Sequence, residues 1–240
     1  MTAPRSRLGR VSTWFGRLSV LAVIIGPTIA HFELVKPLVG FAVFGVGLLC
    51  SLLSILLGLV AIALGPEGTR GSTGGGMLPA VIVLLAVFVA SGAGQNYPRI
   101  NDITTDPANP PAFVRAQTLP ENAGRDMAYP GESFARQQRE GYGEIPALIL
   151  ALPPDESFKR VAAAARSTEG WVITREDPAA RAVEGYETSK LFRFKDDFVI
   201  EVRPADGQSA VQMRSKSRVG QGDVGVNAKR IRLFLGRLKE

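Results

Sequence analysis

Three long apolar runs fill most of the first 94 residues, and nothing like them recurs afterwards. The first is Leu18 to Phe32, preceded by Trp14 and Phe15. The second, Leu38 to Leu64, carries no charge at all, and the third runs from Met77 to Gly94. About 20 apolar residues cross a hydrocarbon core, and soluble core helices rarely stay charge-free for so long. The pattern predicts membrane spans at about 14–33, 38–64 and 77–94, with GPEGTRGSTGGG as the loop between the last two. Gly26/Ala30, Ser54/Gly58 and Ala86/Ala90/Gly94 put small residues at four-residue spacing, which suits close helix approach. That spacing is equally what the commonness of Gly and Ala in membrane helices produces.

Beyond residue 94 the pattern shortens. Residues 95–154 are punctuated by Pro98, Pro107, Pro110, Pro111, Pro120, Pro130, Pro146, Pro153 and Pro154, which forbid a run of long helices. Residues 95–146 therefore read as an extended segment wrapped onto a core of residues 147–240, with short elements at Ser133–Glu140 and a strand at Ala147–Leu152. Asp155 is placed to cap a helix with Phe158, Val161, Ala162 and Ala165 on one side and Gly170 at its end. Strands follow at Trp171–Arg175, Arg181–Thr188, Asp197–Arg203 and Ala210–Arg218, the last two alternating apolar and polar about an Asp206-Gly207 turn. Asp223 then caps a final helix bearing Val224, Ala228, Ile231, Leu235 and Leu238. The fold class is α+β: three transmembrane helices, then a mainly antiparallel sheet of about five strands with two helices on one face.

Charge orients the spans. Arg5, Arg7, Arg10 and Arg17 precede the first, and positive flanks stay cytoplasmic. Three crossings then place the remaining chain in the periplasm, the expectation being a multi-pass protein of the bacterial inner membrane. A signal peptide cleaved after Ala30 is the alternative for the first run, and it leaves the soluble part on the same side. Six cations against two carboxylates in residues 1–94 supply +4 of the total +6, so the basic balance is partly a topology signal. It does not point to nucleic acid. With one cysteine, Cys50, and one histidine, His31, both in or beside apolar runs, no internal disulfide, cysteine-metal cluster or Ser-His-Asp chemistry is expected. His31, next to Glu33 and Lys36, belongs at the membrane interface. Spans two and three hold no ionisable side chain except Cys50, which argues against a transport pathway.

Three stretches resemble a known family. They are Asn101-Asp102-Ile103-Thr104-Thr105-Asp106 with Pro110-Pro111-Ala112-Phe113; Phe194-Lys195-Asp196-Asp197; and Ser217-Arg218-Val219-Gly220 with Asp223, Gly225, Asn227, Ala228, Lys229 and Arg230. Together, over about residues 96–238, they resemble the domain-of-unknown-function 1499 family, whose bacterial members often carry membrane helices ahead of this domain. Arg193 departs from the small residue often found before Phe-Lys-Asp-Asp. The resemblance implies no activity.

Two groups of residues are candidate sites. Asp102, Asp106, Lys195, Asp196 and Asp197 offer either a carboxylate cluster for a divalent ion or backbone anchors and turn ends. Adjacent on a strand, Asp196 and Asp197 face opposite ways. In the second group, Ser217, Arg218, Gly220, Asp223, Asn227, Lys229 and Arg230 surround a helix N-terminus and offer either an anion site or a structural knot. Asp223 opposes an anion there, and Asn227 is placed to tie helix to sheet. A third feature is the strand face of Gln212, Arg214, Lys216 and Arg218 beside Arg203, a basic surface for acidic lipid headgroups or a solvated face. The leading expectation is a membrane-anchored binding or scaffolding module rather than an enzyme, with no catalytic residue, cofactor or metal assigned. Its partners are then the bilayer, other envelope proteins or acidic headgroups, and not nucleic acid. A lipid or small-amphiphile pocket between sheet and helices is one alternative, and a metal-dependent hydrolase built on Asp102, Asp106, Asp196 and Asp197 is the other.

Overall fold

A computed structural model describes residues 6–90 and 97–239. Two compact units divide it: residues 1–95 with 190–193, and residues 96–189 with 194–240.

The first unit contains α1 (Arg7–His31), α2 (Pro37–Leu64) and α3 (Arg70–Ala90), each long and apolar enough to cross a membrane. Arg5 and residues 91–94 of the third apolar run lie outside the described residues. α3 begins seven residues before the run that predicted it, so Gly71, Gly74, Gly75 and Gly76 are helical rather than loop. At Gly76 close packing goes with the weak helix propensity of glycine. A Cβ at Gly76 would stand 2.2 Å from Thr13 Oγ1, so only a glycine admits α1 at that distance. Gly26 and Gly40 do the same for α1 and α2, each lacking the Cβ that would meet the other's carbonyl oxygen. Ser12 and Ser54 lock these helices reciprocally, each hydroxyl donating to the other's carbonyl at 2.7 and 2.8 Å. Of the small-residue rows, Gly26/Ala30 and Ser54/Gly58 are buried between helices. Ala86 and Ala90 are exposed, and Gly94 lies outside the described residues.

The second unit is the α+β domain. Its strands are β1 (Asp102–Thr104), β2 (Leu148–Leu150), β3 (Trp171–Asp177), β4 (Ala182–Thr188), β5 (Lys195–Ala205) and β6 (Gln208–Ser217). All pair antiparallel in the order β1-β6-β5-β4-β3, with β2 beside β1 on the free edge of β6. The β5–β6 hairpin turns on Asp206 and Gly207, whose φ of 44° and 77° are the pair of positive values that a two-residue turn of this hand requires. The helices are α4 (Glu132–Tyr142), α5 (Pro154–Arg166) and α6 (Val226–Arg237).

Alternation along β5 and β6 gives the sheet two unlike faces. Phe198, Ile200, Val202, Val211 and Met213 point to one, where Phe158, Val161, Ala162 and Ala165 of α5 and Ala228, Ile231, Phe234 and Leu235 of α6 fill the core. Trp171 lies over Phe198 and Phe234, ring centroids 4.0 and 4.9 Å apart. The opposite face carries Val199 beneath Phe113, Ala116 and Met127 of the proline-rich segment. That segment is more than a wrapping, since β1 within it is a strand of the sheet. The expected apolar edge of α6 is corrected at Val224, which is exposed with φ of 51° and precedes the helix. Asp155 does not cap α5. Pro153 holds the cap position, while Asp155 lies in the first turn and pairs with Arg181.

Candidate functional site

The register of β5 on β6 sets Asp196 opposite Ser217 and Asp197 opposite Lys216, so the two carboxylates enter different surroundings. On the helix face, Asp196 Oδ2 accepts from Arg230 Nη2 at 2.7 Å. Arg230 also donates to Glu187, Ser215 and Asn227 at 2.6–2.9 Å. Burial by itself lowers the pKa of this guanidinium, but Asp196 and Glu187 more than offset that and hold it raised. Asn227 ties α6 to the sheet: its Oδ1 accepts from Ser215 Oγ, and its Nδ2 donates to Ser217 Oγ and the Asn101 carbonyl. Asp223 takes the amides of Gly225 and Asn227 and the hydroxyl of Tyr142. Burial and this carboxylate acceptor push the Tyr142 phenol well above its usual range.

On the other face, Asp197 accepts from Arg218 Nε and Nη2, the closest contact 2.7 Å, from Arg125 Nη1 at 3.3 Å and from Asn122 at 2.9 Å. Beside it, Asp102 accepts from Arg214 Nε and Nη2 and from Lys216 Nζ, all at 2.8 Å. Asp102 and Arg214 are 0% and 2% exposed, a buried fork-to-fork pair of the strong, bidentate kind. Glu184 sits in a cradle of the Val114, Arg115 and Ala116 amides, closed by Arg175. The guanidinium of Arg218 and the ammonium of Lys195 lie 4.8 and 5.0 Å from the centre of the Tyr186 ring.

This geometry corrects two readings. Asp102, Asp106, Asp196 and Asp197 do not converge: each is bound by its own arginine, Asp106 by Arg203 at 2.9 Å. Among the described residues no three His, Cys, Asp or Glu side chains come together as a metal site. The basic strand face is not a surface either. Arg214 and Lys216 are buried under the proline-rich segment, and Arg203 is engaged by Glu201 and Asp106. In the second group, Gly220 takes a φ of 92° and Ser217 binds Asn227, while Lys229 alone of the three cations is exposed.

Sequence reasoning passed over Arg125, Tyr129 and Glu184. Arg125 and Tyr129 line an open cleft of about 690 Å³ on the loop-covered face, with Phe113, Gln117, Met127 and Arg214. Arg214 reaches its floor between two rings, 4.8 Å from Phe113 and 5.5 Å from Tyr129. The Tyr129 hydroxyl is buried and has no hydrogen-bond partner. Its pKa is pushed up to about 12 by burial first and by the Asp102 charge second. The space between sheet and helices, where an amphiphile pocket was the alternative, is occupied by the apolar core.

Residues 102–238 match a family model described as a protein of unknown function, DUF1499. The chain belongs to that family. The match covers the whole sheet and all three helices of the domain, so this DUF1499 member joins the family domain to three N-terminal helices apolar enough to anchor it in a membrane. No curated protein matches the chain.

Proposed function

We propose that the domain binds or scaffolds rather than catalyses, and that its binding region is the cleft floored by Arg214. One observation carries this reading: every acidic candidate is already neutralised by a cation or by amides, so the charged motif residues form a frame. General acid–base work needs a group with a proton to give or take and room to do it. The buried carboxylates lack that room, whereas the cleft is open and large enough for a small ligand. The proposal extends to the chain's setting. It is a multi-pass protein of the bacterial inner membrane, N-terminus cytoplasmic and domain periplasmic, on the strength of Arg7, Arg10 and Arg17 flanking the first run. Residues 1–94 then serve as anchor, 95–146 as the covering segment and 147–240 as the core.

Orientation is tested with C-terminal fusions. Alkaline phosphatase should be active there and a green fluorescent protein dark; the reverse result overturns the topology. Binding is tested by native mass spectrometry of the whole protein in mild detergent. A copurifying adduct should be present and should be lost when Ala112→Trp fills the cleft. An adduct that survives this substitution places binding elsewhere.

A further inference from the structure

The two ion clusters of the loop-covered face do not balance. Four cations, Arg125, Arg214, Lys216 and Arg218, share two carboxylates, Asp102 and Asp197. Lys216 and Asp197 are cross-strand partners, so the clusters adjoin, and the group carries two surplus positive charges. Three of the four cations are 10% exposed or less. Positive charge removed from water without a counter-charge is costly, and a nearby anion relieves it.

The surplus also has a place to act. Arg125 and Arg214 both line the cleft, and both have donors to spare. Of a guanidinium's five N–H groups, Arg214 uses four and Arg125 three. The acidic residue on the rim, Asp126, is exposed and bonded to the Ala128 amide. Phe113 and Met127 supply apolar wall, which strengthens any charge pairing inside.

Resting on the binding reading above, we propose that the cleft takes a phosphate group, seated against Arg125 and Arg214. A phosphate monoester carries close to two negative charges and several acceptor oxygens, which suits a cationic cluster with forked donors better than a single carboxylate does, the surplus exceeding the one rim charge of Asp126. The group can belong to a soluble phosphate or to a lipid headgroup.

The whole protein in neutral detergent, carrying Trp14→Phe so that Trp171 alone reports, is heated with inorganic phosphate against chloride of equal ionic strength. A parallel series uses mixed micelles of phosphatidic acid against phosphatidylcholine. A raised unfolding midpoint with phosphate assigns a soluble ligand; a rise with phosphatidic acid alone assigns a headgroup. Gln117→Glu, on the exposed cleft wall, should weaken the response about tenfold through added repulsion. Arg125→Gln should do so as well. A response unchanged in Gln117→Glu overturns the site. So does the lack of any rise with either probe. If neither probe raises the midpoint but the wild type carries an adduct that Ala112→Trp loses, the binding reading stands and the phosphate assignment alone falls; with no adduct and no rise, both fall.

Discussion

Asp102 and Asp106 are four residues apart in one motif, yet their removal should differ severalfold in cost. Asp102 is fully buried and holds two cations, Arg214 and Lys216, through three bonds of 2.8 Å. In Asp102→Asn the shape survives while the charge goes, leaving two cations facing an amide that offers one acceptor oxygen. Breaking a buried pair by removing one partner costs about 3–5 kcal/mol. Asp106 is a quarter exposed, and its partner Arg203 keeps Glu201 at 2.6 Å when Asp106 becomes Asn. That loss belongs with partly exposed pairs, at about 1 kcal/mol or less. Urea unfolding in mild detergent, followed by Trp171 in a Trp14→Phe background, reads both, because Trp171 stacks in the core on Phe198 and Phe234. A triple variant, Asp102→Leu with Arg214→Met and Lys216→Met, should recover part of the loss, since an apolar set removes the buried charges and leaves only the Pro111 and Met127 carbonyls without their donor. Equal midpoints for Asp102→Asn and Asp106→Asn would refute the argument, as would a triple variant less stable than Asp102→Asn.

Three further outcomes follow from the same geometry. Asn227→Ala strips partners from Ser215, Ser217 and Arg230 inside the domain and should cost about 2–3 kcal/mol by the same unfolding assay; a loss below roughly 0.5 would remove Asn227 from the frame. The Tyr129 phenol, raised from 10.0 to about 12, favours its neutral form in the fold, so its stabilisation is full below pH 10 and fades as pH climbs toward 12. The tyrosinate absorbance difference between wild type and Tyr129→Phe should therefore have its midpoint near 12, and a midpoint at the ordinary value would contradict the burial described. Gly26→Val drives a side chain into the Gly40 carbonyl, 2.5 Å from the ideal Cβ, and should lower the thermal midpoint in detergent, whereas Gly45→Val, with open space around it, should leave it unchanged.

The helices and most strands were legible because their signals are local. Charge-free length marks a span, alternation at Phe198, Ile200 and Val202 marks a half-buried strand, and Asp206-Gly207 can serve as a hairpin turn whatever surrounds it. The start of α3 was not legible, because a glycine-rich stretch carries no local helix signal and its packing is seen only in the fold, where Gly76 meets Thr13 of α1. β1 was hidden for a related reason: three residues between prolines carry no period, and their strand character comes from β6, more than 100 residues on. Alternation also placed Gln212, Arg214, Lys216 and Arg218 on one face. It could not say that Phe113 and Met127 return to cover that face. Exposure is a property of what packs on top, and the covering segment is distant in sequence. Glu184 shows the limit most clearly. Besides Arg175 across the strand, its partners are three backbone amides of the distant covering segment, which no side-chain pattern announces.

The stretches whose resemblance pointed to the family contain, in this domain, residues that hold its sheet, helix and covering segment together. Asp102, Asp196, Asp197, Arg218, Asp223, Asn227 and Arg230 spend most of their polar atoms on one another, on buried neighbours such as Arg214, Lys216, Ser215 and Tyr142, or on main chain. Such a network suits register better than chemistry: sliding β5 by one residue would send Asp197 to the helix face and Asp196 away from Arg230, stranding charges on both sides. The cleft is bounded differently, by Gln117, Arg125, Met127 and Tyr129, which fall between the motifs, with Phe113 and Arg214 linking lining to frame. Ligand chemistry is therefore to be sought in substitutions at the cleft lining, while substitutions in the buried ion-pair network report on folding.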